Sequence, residues 1–107
     1  MASVGDFSPV NPGETKTFSI DFAAQLAAGD SIVSCSGSVA AYFGTDANAA
    51  TIALAPASKS GSVVLQSLGG VSQGFQAGVV YRWTATAVTA NGMTLINYGH
   101  IACQSIA

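Results

Sequence analysis

The sequence predicts an all-β fold, an antiparallel sandwich of about seven short strands, and three observations carry the prediction. Turn signals built from Gly, Pro, Asn and Asp recur at intervals of roughly ten residues, the spacing of small sandwiches and barrels. Between them, side chains alternate or run apolar over stretches of strand length. The residues that fill solvated helices are nearly missing: three Lys and Arg and five Asp and Glu stand among 107 residues, half of which are apolar. A chain of this length forms one domain with a modest core and need not rely on metals or disulfides.

Residues 1–13 hold Pro9, Pro12 and Gly13 among small polar residues and read as an extended N-terminal arm, with the sandwich domain occupying 14–107. Over 15–22, Phe18, Ile20 and Phe22 point one way and Thr17, Ser19 and Asp21 the other, which is strand alternation. The next segment, FAAQLAAGD at 22–30, is too short for a self-sufficient helix and ends at Gly29, so it reads as a helical turn between strands. A second extended run covers 30–43, with Ile32, Val33, Val39 and Tyr42 as candidate buried positions and a possible bulge at Gly37.

GTDAN at 44–48 is turn chemistry, and an extended run at 49–54 follows it and stops at Pro56. A small-residue loop at 57–61 leads into a Val-rich strand at 62–68, which Gly69-Gly70 ends. Residues 71–78, VSQGFQAG, carry the chain to the last hairpin.

In that hairpin Asn91-Gly92 is the dipeptide suited to a two-residue type I′ turn, so Ala90 is expected opposite Met93. This register puts Tyr81, Trp83, Ala85 and Ala87 on one face with Ile96, Tyr98, His100 and Ala102, an aromatic face suited to the core. Arg82 and the Thr residues fall on the other face with Leu95, Asn97 and Ile101. Seven strands in this order point to an immunoglobulin-like sandwich, with a small barrel as the alternative.

Charge and composition exclude several functions. Three basic residues and a net charge of −2 leave no positive footprint for nucleic acid. No apolar run approaches the ~20 residues that span a bilayer, and the N-terminus lacks the pattern of a signal peptide, so synthesis in a cytoplasm is expected. In that compartment Cys35 and Cys103 read as free thiols more readily than as a bridge. After Arg82 the chain carries no formal charge, although soluble proteins normally keep charge on exposed strand edges. The uncharged hairpin therefore reads as surface that another protein covers.

The segments GETKTFSIDFAAQLAAGDSI, GTDANAATIALAP, VVLQSLGG and AGVVYRWTATAVTANGMTL, from about Gly13 to Cys103, resemble small tailed-phage proteins described as fiber-tail adaptors or Ig-like virion proteins. The resemblance implies a non-enzymatic β-sandwich of the virion, arranged in several copies as a ring around the tail or neck. Its partners would be portal, adaptor, tail or fiber proteins. Capsid decoration and a carbohydrate-binding or adhesin module are the alternatives.

No cofactor, metal or catalytic site is expected. His100, the only histidine, lacks a neighbouring motif that would make it a general base and reads as structural. Asp30 and Asp46 read as turn residues bonding the backbone two positions on. Neither a calcium loop nor a full zinc ligand set is present. Candidate partner contacts are Pro9 and Val10 in the arm, Leu95, Asn97 and Ile101 on the second face of the hairpin, and Phe75. Phe75 is a lone aromatic in a Gly-rich loop that either meets a partner or tucks over the end of the sandwich. Trp83, Tyr81, Tyr98, Tyr42 and Phe75 would form the stacking platform of a sugar-binding module if they were exposed.

Overall fold

A computed structural model describes residues 2–69 and 74–104, with the backbone alone for 2–6. Seven strands run in order: β1 (Ala2–Asp6), β2 (Thr15–Asp21), β3 (Ile32–Phe43), β4 (Ser58–Ser60), β5 (Val63–Gly69), β6 (Val80–Thr89) and β7 (Thr94–Ala102). They form two sheets, β1-β7-β6-β3 and β2-β5-β4. All pairings are antiparallel except that of β1 with β7.

The alternation of β2 is as the sequence predicts: Phe18 and Ile20 are buried while Thr17 and Ser19 are exposed. Residues 22–30 supply a single 3-10 turn, Ala23–Gln25. The N-terminal segment, by contrast, is not a separate arm. Ala2 and Ser3 lie beside Asn97 and Tyr98 in parallel register, and Val10 bridges to Cys103 and is fully buried. Residues 49–54 also depart from expectation, forming the 3-10 turn Ala49–Ile52 rather than a strand. Asp46 starts that turn, because its backbone carbonyl and its carboxylate accept from the amides of Ala49 and Asn48. The strand of this region lies later, at β4, inside the expected loop at 57–61.

Two bulges explain the misassigned positions of β3. The pairing with β6 shifts between Ile32 and Ser34 and again between Ala41 and Phe43, so Val33 and Tyr42 are the extra residues. An extra residue breaks the period of two. Both side chains are exposed, whereas Ile32 and Val39 are buried as predicted. Gly37 makes no bulge and pairs regularly with Ala85. Its missing side chain leaves room for Gln66 and Trp83: a Cβ there would collide with the Gln66 amide and lie 2.9 Å from Trp83 Nε1.

The hairpin register differs from the predicted one by a single residue. Asn91 does not take positive φ; only Gly92 does, at 83°. Thr89 N–H donates to Met93 C=O and Gly92 N–H donates to Thr89 C=O, each at 2.9 Å, closing a three-residue loop. Val88 therefore pairs Thr94, Arg82 pairs His100 and Trp83 pairs Gly99. One residue of slip moves every β7 side chain to the opposite face. Tyr81, Trp83, Ala85 and Ala87 do face the core, but with Ile101, Gly99, Asn97 and Leu95 beside them, while Ile96, Tyr98 and His100 face outward.

The core between the sheets is aromatic. Trp83 and Tyr81 are fully buried, and Phe18 approaches Phe75 and Trp83 with ring centroids 6.3 and 6.4 Å apart. Each such ring removed from water contributes roughly 1.5–3 kcal/mol. The Tyr81 hydroxyl accepts from Gln76 N–H at 2.8 Å and donates to Asp46 at 2.6 Å. Burial, and next the Asp46 carboxylate, hold the Tyr81 phenol well above its ordinary pKa.

Candidate protein-docking face

The outer face of β3, β6 and β7 follows from these registers. Ser34, Ser36, Ser38 and Ala40 lie opposite Val88, Thr86, Thr84 and Arg82, which lie opposite Thr94, Ile96, Tyr98 and His100. Residues directly opposite in antiparallel strands share a face. Most of this surface is small, hydroxylated or aliphatic, and Arg82 is the one formal charge in the three strands.

At one end stands an aromatic group. The bulge turns Tyr42 outward, and its ring stacks on His100 with centroids 4.1 Å apart and planes 23° apart. Arg82 lies over two tyrosine rings, its guanidinium carbon 4.7 Å from the Tyr42 centroid and 4.4 Å from that of Tyr98. Its Nε–H donates to His100 Nε2 at 3.2 Å. Beside this group a groove of about 410 Å³ is lined by Phe7, Pro9, Tyr42, Val80, His100 and Ala102.

The carboxylates of Glu14, Asp21, Asp30 and Asp46 are engaged in local structure away from this face, and Asp6 lies in β1 with its backbone opposite His100. Glu14 pairs with Lys16 at 3.8 Å on the three-stranded side. Asp21 accepts from Ala23 N–H and the Ser62 hydroxyl. Asp46 bonds the amide two positions on, as its sequence context predicts, whereas Asp30 bonds the next amide, Ser31, and reaches Asn91 across the hairpin loop. Among the described residues no three His, Cys, Asp or Glu side chains come together to hold a metal.

A weakly charged outer face on a small β-sandwich suits attachment to other proteins, and the comparison with known families is of that kind. The family model described as podophage GP4 fiber-tail adaptor protein gp77 matches residues 11–97. The chain belongs to this family. No curated protein and no solved structure matches it. The part shared with the fiber-tail adaptor family runs from ahead of β2 into β7, taking in Tyr42 and Arg82 and stopping short of Tyr98 and His100.

In this family member most of the residues singled out as partner contacts are interior. Phe75 is 1% exposed and packs edge-on against Tyr81, so it is the tucked loop residue rather than a surface contact. Ile101 and Val10 are fully buried, and Asn97 exchanges two amide hydrogen bonds with Gln25, at 2.9 and 2.6 Å. Leu95 is half-buried against the core. Pro9 is exposed and lines the groove. Of the five rings of the sugar-platform reading, Trp83, Tyr81 and Phe75 are buried, leaving Tyr42 and Tyr98 at the surface. Tyr42, Arg82 and His100 form a group that the two-residue turn conceals, because that register puts His100 on the face opposite Arg82.

Proposed function

We propose that this chain is a non-enzymatic structural protein of the virion, present in several copies as a ring at the tail or neck. It joins tail fibers or neighbouring virion proteins through the outer face of β3, β6 and β7. Membership of a fiber-tail adaptor family supports the class of role. The observation that carries the choice of face is the distribution of charge: β3, β6 and β7 hold one cation and no carboxylate, whereas both lysines and the carboxylates of Glu14, Asp21, Asp30 and Asp46 belong to the other sheet and the turns. Such a surface loses little desolvation energy when another protein covers it.

We read the sandwich as immunoglobulin-like, and two features support that reading. The separation of β2, β5 and β4 from β3, β6 and β7 corresponds to the partition of strands B, E and D from C, F and G in immunoglobulin domains. Tyr81, near the start of β6 with its hydroxyl bonded to the backbone of Gln76, occupies the place of the tyrosine corner.

Charging the exposed middle of β3, the edge strand of the face, tests the proposal. Ser38→Glu is expected to leave the isolated domain folded and to exclude it from assembled particles. Particles carrying the variant at normal occupancy overturn the choice of face.

A further inference from the structure

Resting on this docking reading, we infer that Arg82 is the recognition point of the face and receives a single Asp or Glu side chain from a weakly charged segment of the partner protein. Two tyrosine rings lie against the guanidinium, and His100 takes its Nε–H. The Nη groups have no protein acceptor, and no carboxylate pairs with Arg82, among the described residues. What remains is a planar, pre-positioned fork of donors, the geometry that a carboxylate meets with two parallel hydrogen bonds. Fixing the fork in advance reduces the entropy lost on binding.

The surroundings define the rest of the ligand. The groove beside His100 is walled by Phe7, Pro9, Val80 and Ala102, so an apolar side chain next to the acid fills it. Elsewhere the face offers hydroxyl and aliphatic groups with no second cation, which matches a single carboxylate in a weakly charged stretch and not a polyanion. Once covered, a lone arginine without an anion is costly, so the same contact rejects partners that lack the acid.

The test uses particles assembled with variant protein. Arg82→Gln is expected to fold and to lower occupancy about tenfold or more, the loss typical of truncating a covered ion pair. Unchanged occupancy overturns the inference. If Arg82→Gln proves unstable, Arg82→Lys decides, because its amine can be joined by a water-soluble carbodiimide to a carboxylate in contact with it. A link in the particle to an Asp or Glu of another virion protein carries the inference. A link only to Asp6, whose backbone lies beside His100, or no link at all, overturns it. Loss of assembly in Ser38→Glu together with full occupancy of Arg82→Gln would leave the docking face standing and remove the acid recognition alone.

Discussion

Trp83 donates its indole N–H to Gln66 Oε1 at 2.8 Å, a buried hydrogen bond that ties the two sheets together. Gln66 in turn donates its Nε2–H to the carbonyl of Ala55 at 2.9 Å, so both ends of a buried amide are satisfied. Gly37 makes the arrangement possible by leaving space for both side chains.

Gly37→Ala is therefore expected to destabilise the domain by about 1–3 kcal/mol, because the added methyl must displace Gln66 or the indole. Gln66→Leu keeps the volume but orphans the buried indole N–H, at about 1–3 kcal/mol. Urea unfolding of the two variants checks both. Wild-type stability in Gly37→Ala would mean that the amide is not held where the structure puts it.

The hairpin register yields a paired prediction. Ile101 faces the core and Ile96 faces outward, so Ile101→Lys should abolish cooperative folding, since an unpaired charge would be buried at a cost of several kcal/mol. Ile96→Lys should shift stability by no more than about 1 kcal/mol. The register of a two-residue turn exchanges the two outcomes, so thermal unfolding of the pair distinguishes the alternatives.

That slip separates what the sequence reveals from what it conceals. The strand β2 and the inward face of β6 are legible because strict alternation survives there, as in Phe18 and Ile20 or Tyr81 and Trp83. Val33 and Tyr42 are not, because each is the extra residue of a bulge and alternation cannot register it. The short segment ASVGD gives no sign that it joins a sheet in parallel with a strand about ninety residues later, a non-local pairing that only the folded chain supplies. The candidate face depends on both effects. Tyr42 reaches His100 through a bulge, and His100 reaches Arg82 through a loop one residue longer than Asn91-Gly92 suggests.

Acid should loosen the turns before the core. Hydrogen bonds from Ser62 and Ala23 hold the Asp21 carboxyl below its ordinary 3.8. At Asp30 desolvation works in the opposite direction, but hydrogen bonds from Thr89, Ser31, Asn91 and Ala90 outweigh it, and the net shift is also downward. A carboxylate whose pKa falls on folding contributes stability that is complete above its unfolded value and is lost as pH falls through the folded one. Stability is thus expected to hold from neutrality to about pH 4 and to decline below it. Asp21→Asn and Asp30→Asn should each flatten that decline. Unfolding midpoints collected from pH 2 to 7 with the same slope in wild type and variants would show that these turns do not set it.

The two cysteines give the last prediction, because the sheet keeps them apart. Cys35 pairs with Ala87 near one end of β6, and Cys103 exchanges backbone hydrogen bonds near Val79 beyond its other end. At ~3.4 Å per residue along the strand, their separation far exceeds the ~7 Å between Cα atoms that a disulfide spans. Both are free thiols. Burial raises the Cys103 thiol above its ordinary value, and the negative charge of Glu14 adds to the effect. Cys103 is expected to react with iodoacetamide much more slowly than the half-buried Cys35 in native protein, and the two rates should converge in urea. A reductant should leave the unfolding temperature unchanged. A drop on reduction would require a bond between two positions that this sheet holds at opposite ends.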